Sequence, residues 1–93
     1  MEVNTHNQRF IYFYFNRNEP EKTRQVVPAH VQYWQSVNPD GYLGGPFADR
    51  SGGSISFVAS SLEEAIAIIM QDPFVIKDLI EQKWIKEWIV EAH

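Results

Sequence analysis

The residues best suited to chemistry in this chain are one histidine and two aspartates. His30 stands in the run Val27-Pro28-Ala29-His30, and it is the one histidine away from the ends, where His6 and His93 lie. Downstream come Gly45-Pro46-Phe47-Ala48-Asp49 and Asp72-Pro73-Phe74. A carboxylate bonded to one imidazole nitrogen fixes the tautomer and leaves the other nitrogen as a general base. Such a pair suits proton abstraction next to a carbonyl, followed by isomerisation or elimination. If helix formation begins at Pro28, His30 falls in the first turn. There the positive helix end disfavours imidazolium, and free amides can hold an anion.

Each candidate also has an ordinary structural role. His30 fits a partly buried ring satisfied by backbone. Asp72 fits the cap of a helix starting at Pro73. Asp49 fits a solvated turn beside Arg50. Tyr12, Gly45, Pro46 and Phe74 are the candidates for ligand contact, although Tyr12 also suits the core and Gly45-Pro46 the end of a strand. No phosphate loop, dinucleotide fingerprint or metal motif is present, and no Ser/His/Asp spacing points to a nucleophilic serine. No metal or other cofactor is expected.

These side chains must be held by one domain, since the chain has 93 residues. A chain of this size buries roughly 60–70% of its extended surface. The aromatic content of 14% demands burial, and the absence of cysteine excludes disulfides and thiolate chemistry. The net charge of −4, with scattered basic residues, argues against a nucleic-acid surface. No secretory signal or membrane-spanning run is visible, so a cytoplasmic protein without a membrane partner is expected.

Residues 1–8 read as a flexible tail and 9–93 as the single domain. Arg9–Phe15 alternates Phe10, Tyr12 and Tyr14 with Ile11, Phe13 and Phe15, which predicts a strand apolar on both faces. A helix follows, starting either near Pro20 with Pro28 as a kink, or at Pro28 itself. Asn38-Pro39-Asp40-Gly41 stops it. Strands are predicted at Tyr42–Pro46 and Ser54–Ala59, joined by a loop in which Ser51-Gly52-Gly53 supplies unusual backbone angles. Ser60 or Ser61 caps a second helix with Glu63 and Glu64 in its first turn. A short helix from Pro73 to about Glu81 and a strand over Trp84–Glu91 complete the chain.

The order is βαββαβ, an α+β ferredoxin-like domain with a four-stranded antiparallel sheet. Helices cover one face of such a sheet. The other face must carry half the aromatic residues of the first strand, with either the Trp84/Trp88 or the Ile85/Ile89 row. Soluble monomers rarely expose so large an apolar patch, so a homodimer through this open face is expected.

The ordered motifs Val27-Pro28-Ala29-His30, Gly41-Tyr42-Leu43, Gly44-Gly45-Pro46, Ser51-Gly52-Gly53 and Asp72-Pro73-Phe74 resemble the YCII-related, or YciI-like, family from about Arg9 to Val90. The resemblance implies a dimeric α+β barrel with a histidine–aspartate pair. The histidine carries over to His30, and the aspartate to Asp72 or Asp49. Lys77-Asp78 departs from the small Ala-Gly pair usual there. The family includes a dehydrochlorinase branch, and muconolactone isomerase shares the broader fold. The implied function is a small lyase-, isomerase- or dehalogenase-type enzyme acting on an anionic or aromatic molecule. The alternative is a non-catalytic ligand-binding or accessory module.

Overall fold

The computed structural model describes residues 7–91. They form β1 (Gln8–Asn16), α1 (Pro20–Val37), β2 (Leu43–Pro46), β3 (Gly52–Ala59), α2 (Leu62–Ile69), α3 (Pro73–Ile76) and β4 (Ile80–Glu87). The strands build one antiparallel sheet in the order β2-β3-β1-β4, the ferredoxin-like arrangement expected from the βαββαβ pattern. Of the expected tail, residues 1–6 lie outside the described residues, as do His6 and His93. Gln8 already pairs with Ala59.

The alternation of β1 sets the two layers. Phe10, Tyr12 and Tyr14 face the helices and are buried. They join Ile55 and Phe57 of β3, Trp34 of α1, Ala65 and Ile69 of α2, and Phe74 and Leu79 in one core. The opposite face carries Ile11, Phe13 and Phe15. Trp84 pairs with Phe13, whereas Ile85 pairs with Tyr12, so the Trp84 row lies on the open face. The Phe13 and Trp84 rings stack at 5.2 Å, and Phe15 contacts both Trp84 and Phe47.

Helix α1 starts at Pro20, with Pro28 inside it. Pro28 lacks the N–H that would reach Arg24, so the ladder loses a bond there. Burial of Trp34 and docking against α3 hold the helix together nonetheless. His30 therefore sits well inside the helix. The first-turn reading, with free amides and a positive helix end beside the ring, does not apply. The helix ends at Asn38, in left-handed conformation with φ 45°, and Pro39 follows.

Other boundaries shift for local reasons. β3 begins at Gly52, and neither Gly52 nor Gly53 has positive φ; that angle falls on Arg50, at 65°. Gly52 is needed for close approach, because a Cβ there would collide with the Tyr14 carbonyl. At Gly45 a Cβ would meet open space. Ser61, not Ser60, caps α2 by accepting from Glu64 N–H, while the Glu64 carboxylate returns to Ser60. α3 stops at Ile76, and Asp78 with φ 58° turns the chain so that buried Leu79 leads into β4, which starts early at Ile80.

Candidate functional site

Asp72 is fully buried at the start of α3. Its extended backbone and the proline after it make it a cap, and Oδ1 accepts the Phe74 N–H at 2.8 Å. Two donors from α1 complete its shell. Trp34 Nε1 donates to Oδ2 at 2.9 Å, and His30 Nδ1 lies 2.9 Å from Oδ1. His30 and Trp34 lie four residues apart, one helical turn, so both reach the same carboxylate. Indole and amide can only donate, and a carboxylate accepts. Nδ1 therefore carries the proton when the ring is neutral, leaving Nε2 free of protein partners among the described residues.

The imidazole is clamped as well as bonded. It stacks on Phe74 with centroids 4.1 Å apart and planes 11° from parallel, and Tyr14 meets its edge at 6.4 Å. Its side chain keeps 13% exposure, against 0% for Asp72. That residual exposure matters because His30 borders a cavity of about 620 Å³, within the size range of small-molecule sites.

The cavity lies along α1. Thr23, Val27, His30, Val31 and Trp34 recur at helical spacing down one wall. Gly44, Gly45 and Pro46 of β2 form the outer wall, Tyr14 and Ile55 line the sheet side, and Phe74 comes from α3. Burial and the nearby Asp72 charge both push the Tyr14 hydroxyl far above the ordinary tyrosine range. It is a phenol donor at any physiological pH.

Of the residues singled out in the sequence, the structure brings together His30, Asp72, Gly45, Pro46 and Phe74 around this cavity. Asp49 is not among its lining residues. Its carboxylate accepts Ser51 N–H at 3.0 Å and Ser51 Oγ–H at 2.7 Å, and those bonds hold its pKa below the ordinary range. Tyr12 is sealed in the core, and its hydroxyl has no hydrogen-bond partner. Tyr14 takes the place at the cavity expected of Tyr12. Trp34, as second partner of Asp72, and Arg50, at the cavity wall, carried no sequence signal of their roles.

Among the described residues no group of three or more His, Cys, Asp or Glu side chains could hold a metal ion, and no helix is long and apolar enough to cross a membrane.

Comparison with known proteins gives two findings. The YCII-related domain model matches residues 8–89. Among solved structures, the chain is similar to 5-chloro-2-hydroxyhydroquinone dehydrochlorinase from Burkholderia phenoliruptrix AC1100, determined in complex with 2,5-dihydroxybenzoquinone. The TM-score is 0.75 at 21% identity, covering 87% of this chain and 93% of that one. Curated protein sequences give no match.

Proposed function

Because the chain belongs to the YCII-related domain family, and its cavity is lined by a histidine locked to a buried carboxylate, we propose that it is a small-molecule enzyme of proton transfer. The carrying observation is the 2.9 Å contact between His30 Nδ1 and fully buried Asp72. His30 Nε2 takes a proton from a carbon next to a carbonyl. The electron pair moves into the carbonyl to form an enolate. Asp72 stabilises the imidazolium, and the Tyr14 hydroxyl donates to the enolate oxygen. The enolate then either expels a leaving group, giving elimination, or receives the proton back at another carbon, giving isomerisation. The likeness to a dehydrochlorinase is in keeping with the first outcome.

Asp49 has no part in this scheme, since it does not line the cavity and its Oδ1 accepts from Ser51. The protein acts as a homodimer joined through the open sheet face, where Leu43 is 66% exposed and Trp84, beside Phe13 and Phe15, is 39% exposed. Burying these side chains against a second copy removes apolar surface from water, which favours association. A reaction at neutral pH in the cytoplasm fits the absence of cysteine.

The test is turnover of chlorinated hydroquinones and unsaturated lactones by the wild-type chain, His30→Ala and Asp72→Asn. Loss of general-base catalysis is expected to cost about 10²–10⁴-fold in His30→Ala. Unchanged turnover would remove His30 from the mechanism. A ligand bound tightly and recovered unchanged would make the domain a binding module instead.

A further inference from the structure

Among the described residues a single charged side chain lines the cavity wall, while the Asp72 carboxylate lies buried behind His30. Arg50 is the one Lys, Arg, Asp or Glu among the described lining residues. The remaining described arginines are engaged: Arg9 bonds Gly41 and Ser56, Arg17 pairs with Asp78 and Glu81, and Arg24 pairs with Glu21. Arg50 has no such partner among the described residues. Adjacent Asp49 makes no ion pair with it and turns Oδ1 to Ser51.

The backbone holds Arg50 there against preference. Its φ of 65° is left-handed, a conformation that glycine or asparagine adopts more cheaply. The turn is closed by Arg50 N–H bonding the Phe47 carbonyl at 2.9 Å. A bulky cationic side chain at such a position calls for a reason, and functional sites are where such outliers collect.

The cavity wall near this turn also has unspent polar capacity. Asn16 donates its backbone N–H to the Ser51 carbonyl, so it adjoins the Arg50 turn. Asn16 Oδ1 and Thr23 Oγ1 are buried without hydrogen-bond partners, and both residues line the cavity. Flat aromatic surfaces, including Tyr14 and Phe74, border the same space.

We infer that Arg50 is the anion-recognition residue of this cavity, which takes a small planar organic anion bearing oxygen substituents, its negative group on the guanidinium and its body extending toward His30. A guanidinium matches a carboxylate or phenolate through charge-assisted hydrogen bonds. The inference rests on reading the cavity as the ligand site. It does not depend on His30 acting as a base.

The experiment titrates the full chain with 2,5-dihydroxybenzoate and with the neutral 2,5-dihydroxybenzamide, following affinity by amide-resolved NMR. Wild type is expected to favour the acid about tenfold at low salt, with the preference shrinking as salt screens the pair. Arg50→Gln, which leaves the turn's backbone demand unchanged, is expected to erase that preference while the amide binds as before. His30→Ala is expected to keep it. Equal affinity for acid and amide in wild type overturns the inference, as does a preserved preference in Arg50→Gln. Absence of acid binding at millimolar concentration overturns it too. Unchanged turnover in His30→Ala, with the preference lost in Arg50→Gln, would instead remove the proton-transfer reading and leave the anion site standing.

Discussion

Asp72 and Asp49 make the same local bond, each accepting the backbone N–H two residues ahead, and yet their surroundings have nothing else in common. Asp72 takes Phe74 N–H at 2.8 Å and Asp49 takes Ser51 N–H at 3.0 Å. At Asp49 the only addition is the Ser51 hydroxyl, in an exposed loop. At Asp72, α1 lays Trp34 and His30 across the carboxylate and closes it from solvent. A short turn motif is thus neutral about function. A second element supplying donors converts a cap into an orienting group for a histidine.

Substitution separates the two most strongly. Asp72→Ala leaves the Phe74 amide and the Trp34 indole without their acceptor, and is expected to cost about 3 kcal/mol. For a domain of this size that lowers Tm on the order of 15 °C by calorimetry. Asp49→Ala is expected to move Tm far less. Equal shifts would break the comparison.

Trp34→Phe isolates one arm of the Asp72 shell. It removes the indole donor and keeps a ring in the core, with an expected loss of about 2 kcal/mol in denaturant unfolding. A negligible loss would mean that the hydrogen bond to Oδ2 contributes little beyond packing.

Tyr12 sharpens the contrast from the other side. It lies in the same buried layer, and its hydroxyl is unpartnered where every oxygen of Asp72 is used. Tyr12→Phe is expected to stabilise the fold by about 1 kcal/mol. Burial raises the Tyr12 pKa far above the ordinary value. A raised folded pKa contributes stability that is complete below about pH 10 and lost as pH rises above it. Tyr12→Phe should therefore also flatten the alkaline limb of the stability profile.

The smallest effect belongs to Asp49. Its Ser51 bonds depress its pKa, so its contribution is present above the ordinary carboxylate range and lost as pH falls through the lowered value. Asp49→Asn is expected to lower stability slightly at neutral pH and to weaken the acid dependence below about pH 4, as read by urea unfolding across that range.

The strand and helix order was legible because alternation in β1, serine caps and Asp-Pro punctuation are local signals. Residues such as Phe10, Tyr12 and Tyr14 declare their face by period alone. Pro28 was not decidable, because proline at a helix start and proline inside a helix look alike in sequence. Val26, in the segment before Pro28, packs against the core, and the helix runs back to Pro20. The α3–β4 boundary was hidden by a run, Phe74 to Gln82, that suits helix and strand alike. At the site, the cap role of Asp72 was readable from Asp-Pro, but its contact with His30 spans 42 residues and depends on how α1 lies on α3. Tyr14 and Tyr12 share a face in sequence. Only Tyr14 borders the cavity, because Gly53 stands opposite it while Ile55 stands opposite Tyr12.

The central claim is that Asp72 fixes the His30 tautomer with Nε2 facing the ligand. Imidazole ¹⁵N NMR of the labelled protein tests it most directly. Whenever the ring is neutral, a protonated Nδ1 and a bare Nε2 are expected in the wild-type protein, with that preference lost in Asp72→Ala. A neutral ring protonated on Nε2, or the same tautomer surviving in Asp72→Ala, would contradict it.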